Sequence, residues 1–469
     1  GISLHTGINA WKAQKLNFGP QIGFNWSPVW FQGKMVVRGG FGLNYNQEQI
    51  ANSNNDDGNP PGENGLPGSS KSPTEINPNI IYAVSSSPTN IFGYPANPNA
   101  ITTFNSAGLP TGGGANLGAL PGHLPTEYTE HYSLDIEYDL GHSLIANVGY
   151  EGGLGRHLLY NYDANGLGEI QGAALNPLVN SVNTFGSSGT SNNNMLLAGL
   201  KHQFSHTFSA EAQFTWGHSM DTDSGPYSRD AYLYDSAFSY GRSDFDINKS
   251  FKVFGVWQPV IFHGSNAWAE KIAGGWSLSG IMTLHSGFGW TPGYTAPHQI
   301  YCNSCNYGYA NLRPHYLGGA GKSTSNNAFK TGSNFPNQAA ALANANTGTN
   351  NDQFSDTYFA VPNYADAITD NPGQSTTNFI PPPGLDRNSF PGPGYRDVDI
   401  TIAKAFGLPN MRVLGENAKI EIKADMLNVF NLLNINPSSI STNIQAPNLG
   451  QAGGALGSRT IDFQARFNF

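Results

Sequence analysis

Apolar and polar residues alternate one by one along many short stretches of this chain. In Tyr132, Leu134, Ile136, Tyr138 and Leu140 the apolar positions oppose His131, Ser133, Asp135, Glu137 and Asp139. Successive side chains of a strand point to opposite faces, so this pattern predicts a ribbon with one greasy and one polar side. The same period predicts strands at 2–9, 18–26, 35–45 and 144–150, then 196–204 and 208–216, followed by 248–262, 274–290, 396–407 and 417–431. The last stretch, Arg459 to Phe469, sets Ile461, Phe463, Ala465, Phe467 and Phe469 against Asp462, Gln464, Arg466 and Asn468. This gives about twelve strands. From the third onward their connections alternate long and short, with turns at Gly141-His142 and Ser205-His206 and long segments near 47–128, 151–194, 220–246 and 291–395.

A greasy side needs a partner. In a soluble sandwich it meets a second sheet; in an outer-membrane barrel it meets lipid, and the polar side faces a wet lumen. A propeller would show a repeat of about 40–50 residues, and none is present. A sandwich does not require long loops alternating strictly with tight turns. The pattern therefore predicts an all-β, antiparallel, transmembrane outer-membrane β-barrel with long extracellular loops. An aromatic residue closing the final strand also fits an assembly signal carried by Phe463, Phe467 and Phe469.

Composition supports this reading. Only 38% of the 469 residues are hydrophobic and only 12% are charged, the balance being rich in Gly (57) and Pro (30). Soluble proteins this poor in apolar residues usually carry about a quarter charged residues. The 27 Phe, 21 Tyr and 8 Trp argue against disorder along the chain as a whole. A net charge of −9 without a basic cluster excludes nucleic acid as a partner. No run of about 18 apolar residues predicts a transmembrane helix, which leaves barrel strands untouched.

Chemistry-bearing clusters are few. His202 and His206 flank a strand turn and share no helical face for a metal. Asp221 and Asp223, in Asp221-Thr222-Asp223-Ser224-Gly225, begin like a calcium loop without the later ligands, a weak metal candidate against a solvated acidic loop. Cys302 and Cys305 admit a redox pair, a metal half-site or a local disulfide. A metal site would want a second pair, and an exported loop is oxidising, so the disulfide is preferred. Tyr301, Tyr307, Tyr309 and Tyr316 offer rings that could stack on a flat ligand, weighed against ordinary loop packing. No catalytic triad or carboxylate pair can be assembled, so no enzymatic activity and no cofactor are expected.

Several stretches resemble one family. Asp386-Arg387-Asn388-Ser389-Phe390 with Gly392-Pro393-Gly394-Tyr395-Arg396-Asp397-Val398-Asp399 is similar to a segment of Oar-like TonB-dependent receptors. Asp425-Met426-Leu427-Asn428-Val429-Phe430-Asn431 resembles their penultimate strand, and Pro125-Thr126-Glu127-Tyr128 through Gly149-Tyr150-Glu151-Gly152 one of their hairpins. Gly274-Gly275-Trp276-Ser277-Leu278-Ser279-Gly280 with Ser286-Gly287, and Phe18-Gly19-Pro20 with Val37-Arg38-Gly39-Gly40-Phe41-Gly42, fit further strands. One departure lies after Asp244-Phe245-Asp246, where the family usually has basic residues and a His and this chain has Ile247-Asn248-Lys249-Ser250. Local loop anchoring is in question there.

The resemblance implies a 22-stranded barrel with a plug and a TonB-contacting segment. Residues 1–469 then read as the C-terminal part of that barrel, plug and TonB-contacting segment lying outside this sequence; the alternative is a self-closing barrel of twelve strands. The implied function is TonB-energised uptake of a scarce or bulky solute. The implied partners are outer-membrane lipid, the TonB complex, the barrel-assembly machinery and an unidentified solute. A surface adhesin or scaffold acting through its long loops is the alternative of a different class.

Overall fold

The structure is a computed structural model that describes residues 16–46, 115–119, 121–165, 179–205, 207–225, 236–260, 274–294, 312–318, 329, 335, 338–339, 358–360, 383–408 and 418–468. Eleven strands pair antiparallel in sequence order: β1 (Gln21–Trp26), β2 (Met35–Tyr45), β3 (Tyr128–Gly141), β4 (Leu144–Asp163), β5 (Val179–Ser205), β6 (Phe208–Asp221), β7 (Lys249–Trp257), β8 (Trp276–His285), β9 (Tyr395–Gly407), β10 (Lys419–Leu427) and β11 (Thr460–Asn468). Each matches one alternating stretch of the sequence. The first expected strand, at 2–9, lies outside the described residues. Among the described residues β1 and β11 each pair with a single neighbour on this path, so the wall does not close on itself.

The register carries one greasy face across the whole wall. One row runs Trp26, Val37, Ile136, Val148, Ala198, Phe214, Phe251 and Leu284 through successive pairings. Another runs Trp257, Leu278, Ile402, Ala424 and Phe463. Large members of this face, among them Leu134, Leu200, Phe214, Ile402, Ile422 and Phe463, are exposed. A sheet buried against a second sheet would hide these residues.

Aromatic side chains gather at both rims of this face. At the ends joined by the shorter connections stand Trp26, Tyr138, Phe208, Trp257, Trp276, Phe406 and Phe467. Toward the long-loop ends stand Tyr132, Tyr150 and Trp216, and the hydroxyls of Tyr132 and Tyr150 both donate to Asn194 Oδ1, at 2.7 and 2.8 Å. Two aromatic girdles bracketing an apolar band are the surface of a membrane-spanning barrel, whose short turns face the periplasm.

The turns follow the same logic. Residues 142–143 join β3 to β4 with both φ angles positive (56° and 63°), the twist that suits a two-residue hairpin. β7 ends where expected chemistry ends it: Gln258 N–H still donates to Thr207 O at 2.7 Å, but Pro259 has no N–H to continue the ladder.

One expectation needs correction. Residues 151–194 read as a long loop, yet β4 continues to Asp163 and β5 begins at Val179. The ladder continues through Asn161↔Phe185 and Leu154↔Asn192, beyond the upper girdle. Above the membrane no lipid requires one side to be apolar, so the period-2 signal vanishes while backbone pairing persists. Close approach is part of this: a Cβ on Gly152 would lie 2.2 Å from the Tyr132 ring, so glycine lets the ring lie across the neighbouring strand and a larger residue would displace it.

Candidate functional site

The second face of the wall is polar and largely satisfied by its own side chains. Arg38 pairs with Glu137 at 3.2 Å, and Lys423 with Asp425 at 2.8 Å. Asp425 also accepts from Thr401 Oγ1 at 2.6 Å and from Gln464 Nε2 at 3.2 Å. Gln213 donates to Glu211 at 2.6 Å. These contacts link β2 to β3, and β10 to both β9 and β11, through groups that tolerate water. Phe254 and Ile281 interrupt the polar surface, pairing directly across β7 and β8. With Glu211, Asp399 and Thr401 they line an open hollow of about 480 Å³.

At the long-loop end the described parts of the connections form a cap with its own core. Trp290, Tyr294, Leu312, Phe329, Phe335 and Phe359 pack with Phe390, Ile440, Ile444 and Leu449. The rings meet edge-on or tilted, as their quadrupoles favour: Trp290 to Phe390 at 5.4 Å, and Phe335 to Phe359 at 5.1 Å. Gln338 clamps one segment, accepting from the N–H groups of Tyr358 (2.7 Å) and Phe359 (3.0 Å) while donating to Phe359 O. Ile444 N–H donates to Gly293 O at 2.9 Å and Ala452 N–H to Phe329 O at 2.9 Å, joining the β10–β11 connection to the β8–β9 connection.

Charged residues tie this cap to the wall. The Arg387 guanidinium pairs with the Asp221 carboxylate at the end of β6 and donates to Asp221 O at 2.8 Å. Burial pushes the Arg387 guanidinium down to about 10, which leaves it charged at neutral pH. Asn388, held at φ +54°, donates to Arg242 O and to Asp244, and its N–H reaches Thr291 Oγ1 at 2.7 Å. Asp246 accepts from Arg242 Nε (2.8 Å) and Ser219 N–H (2.7 Å), with His218 Nδ1 at 3.0 Å. The departing segment after Asp246 is therefore anchored through that carboxylate. At the far side, Asn428 accepts from Leu432 N–H at 2.8 Å, and Asn434 bonds both backbone groups of Arg396.

The residues singled out in the sequence fall into three places. Asp221 is buried in the Arg387 pair, and Asp223 accepts from Gly225 N–H at 3.1 Å. Among the described residues, no group of three or more His, Cys, Asp or Glu side chains is arranged to hold a metal ion. Tyr316 packs against Phe359 (5.4 Å) and edge-on to Phe390 (5.2 Å), inside the cap. Tyr301, Tyr307, Tyr309, Cys302 and Cys305 lie outside the described residues. Phe463 and Phe467 point from β11 to the greasy side, and Phe469 lies outside the described residues. Sequence reading missed Arg242 and Gln338, and it named Asp246 only as the start of a departure from the family pattern; the signal for the first two was their polarity inside segments otherwise dense in Gly, Pro and aromatics.

A family model described as outer membrane beta barrel domain matches residues 5–462. The chain belongs to this family. The barrel domain accordingly resides in the bacterial outer membrane, and its greasy face meets lipid. No curated protein matches it in sequence. Similar solved structures include the outer membrane transporter YddB of Escherichia coli, at 10% identity and a TM-score of 0.46, covering 96% of this chain and 40% of that one. The ferripyoverdine receptor of the outer membrane of Pseudomonas aeruginosa has 9% identity and a TM-score of 0.40, with coverage of 97% and 33%. The FrpB iron transporter of Neisseria meningitidis has 8% identity and a TM-score of 0.39, with coverage of 95% and 38%. The barrel domain thus spans 33–40% of the length of these three chains.

Proposed function

We propose that this barrel domain is the wall and mouth of an outer-membrane receptor that takes up a scarce or bulky solute with energy supplied through TonB. The observation that carries the reading is the ordered cap, which has its own aromatic core and is tied by Arg387 and Asn388 to strand ends beside a polar wall. Loops built only to close strands need no core; a fixed cap at the mouth suits capture. The stretches resembling Oar-like TonB-dependent receptors support the same reading, because Arg387, Asn388 and Phe390 from one of them are the cap's fastenings. In this reading the unpaired edges of β1 and β11 are completed by further wall, since bare edge amides and carbonyls facing lipid cost several kcal/mol each. The barrel binds and conducts and breaks no bond.

The test compares spent medium from the parent strain with that from strains lacking this gene or lacking TonB. The expected result is a solute depleted by the parent and left behind by both deletion strains. Equal depletion in all three, with attachment to surfaces lost only in the gene deletion, would replace uptake by adhesion.

A further inference from the structure

Lys404 breaks the alternation of β9. Ile400, Ile402 and Phe406 share its side of the strand, and the register places Lys404 between Trp276 and Ile422 on the lipid-facing surface. Its depth is set by the lower girdle, with Trp276 on one side and Phe406 on the other. Aromatic girdles sit at the level of the lipid headgroups.

The side chain is almost fully buried, at 6% exposure, even though it lies on the outer surface. Its ammonium donates to Gly274 O and to Ala405 O, and lies 4.6 Å from the centre of the Phe406 ring and 5.8 Å from that of Trp276. Two carbonyls and two ring faces hold the cation but do not neutralise it. None of the ion pairs among the described residues includes Lys404. At headgroup depth such a cation is tolerated and attracts an anionic headgroup, by about 1 kcal/mol per lysine.

Beside the ammonium the wall is hollowed. Trp276, Ile402, Phe406, Ile422, Ala424 and Phe463 enclose, with Lys404, an outward-opening recess of about 480 Å³. Ile402, Ala424 and Phe463 form the next row toward the membrane centre. The recess therefore starts beside Lys404 at headgroup depth and continues as an apolar lane at acyl-chain depth.

We propose that this recess is a binding site for an anionic glycerophospholipid of the periplasm-facing leaflet. Its phosphate would neutralise Lys404, and one acyl chain would lie over Ala424 between Ile422 and Phe463. The small Ala424 side chain makes room for that chain.

The experiment uses the full chain, delipidated in mild detergent, with retention measured by native mass spectrometry. Phosphatidylglycerol and phosphatidylcholine with identical acyl chains are the probes. One lysine at the membrane surface predicts a preference of about fivefold for phosphatidylglycerol. Lys404→Gln is expected to abolish that preference. Ala424→Phe, which fills the lane and leaves the ammonium in place, is expected to lower retention of phosphatidylglycerol. Equal retention of the two lipids by the unmodified protein, or a preference surviving Lys404→Gln, would overturn the site. So would displacement of phosphatidylglycerol by equimolar inorganic phosphate, because the acyl lane would then contribute nothing.

Discussion

Arg387→Ala is expected to loosen the cap while leaving the eleven-stranded wall intact. The substitution strands the Asp221 carboxylate, whose side chain is only 3% exposed, with the Ser224 hydroxyl as a remaining partner at 3.0 Å. Removing one member of a buried ion pair typically costs about 3–5 kcal/mol, because the other charge stays desolvated. That loss falls on the cap, since Arg387 fastens the segment before β9 to the end of β6. Native-state hydrogen exchange reads it directly: the N–H groups of Asn388 and Gly392, bonded to Thr291 Oγ1 and Phe288 O, should exchange faster. Amides in the centre of β6 and β7 should keep their protection. Asp221→Asn combined with Arg387→Met removes both charges and should restore most of the protection. Unchanged exchange in Arg387→Ala would show that the cap holds without this pair.

An arginine placed at Met282 is expected to cripple assembly, whereas one at Thr283 is expected to be tolerated. Met282 lies midway along β8 on the greasy side, between Val253 and Val398. Thr283, one residue on, faces the polar side, between Lys252 and Asp397. Arginine on the lipid face near the membrane centre costs about 2–4 kcal/mol, while the lumen solvates it. Urea titration of the protein folded into vesicles compares the two variants. Equal destabilisation by both would mean that the two faces see the same surroundings.

The wall could be read from the sequence because lipid imposes a rule on every second residue within the membrane. Leu134 and Ile136, or Phe463 and Phe467, repeat that rule locally. Asn161 and Phe185 pair in the same ladder but lie above the upper girdle, where the rule lapses, so the sequence pattern does not show them. The cap was hidden for another reason. Trp290, Phe335, Phe359, Phe390 and Leu449 meet across long separations with no period, and the Asp221–Arg387 pair joins residues 166 apart. Tyr316 stands out in the sequence as a ring, but its contacts with Phe359 and Phe390 in that core do not. Lys404 was legible in principle, as the one charge in the series Ile400, Ile402, Lys404, Phe406, although only the register shows its carbonyl partners and the recess beside it.

Nitroxide labels on single cysteines along β6, with Cys302 and Cys305 changed to serine, test most directly which medium touches each face. In lipid vesicles, labels at positions 210, 212 and 214 should collide freely with dissolved oxygen and little with a water-soluble nickel chelate. Labels at 211, 213 and 215 should show the reverse. Shielding of the first series from both reagents, as a dry protein layer packed on the greasy side would produce, would contradict the account.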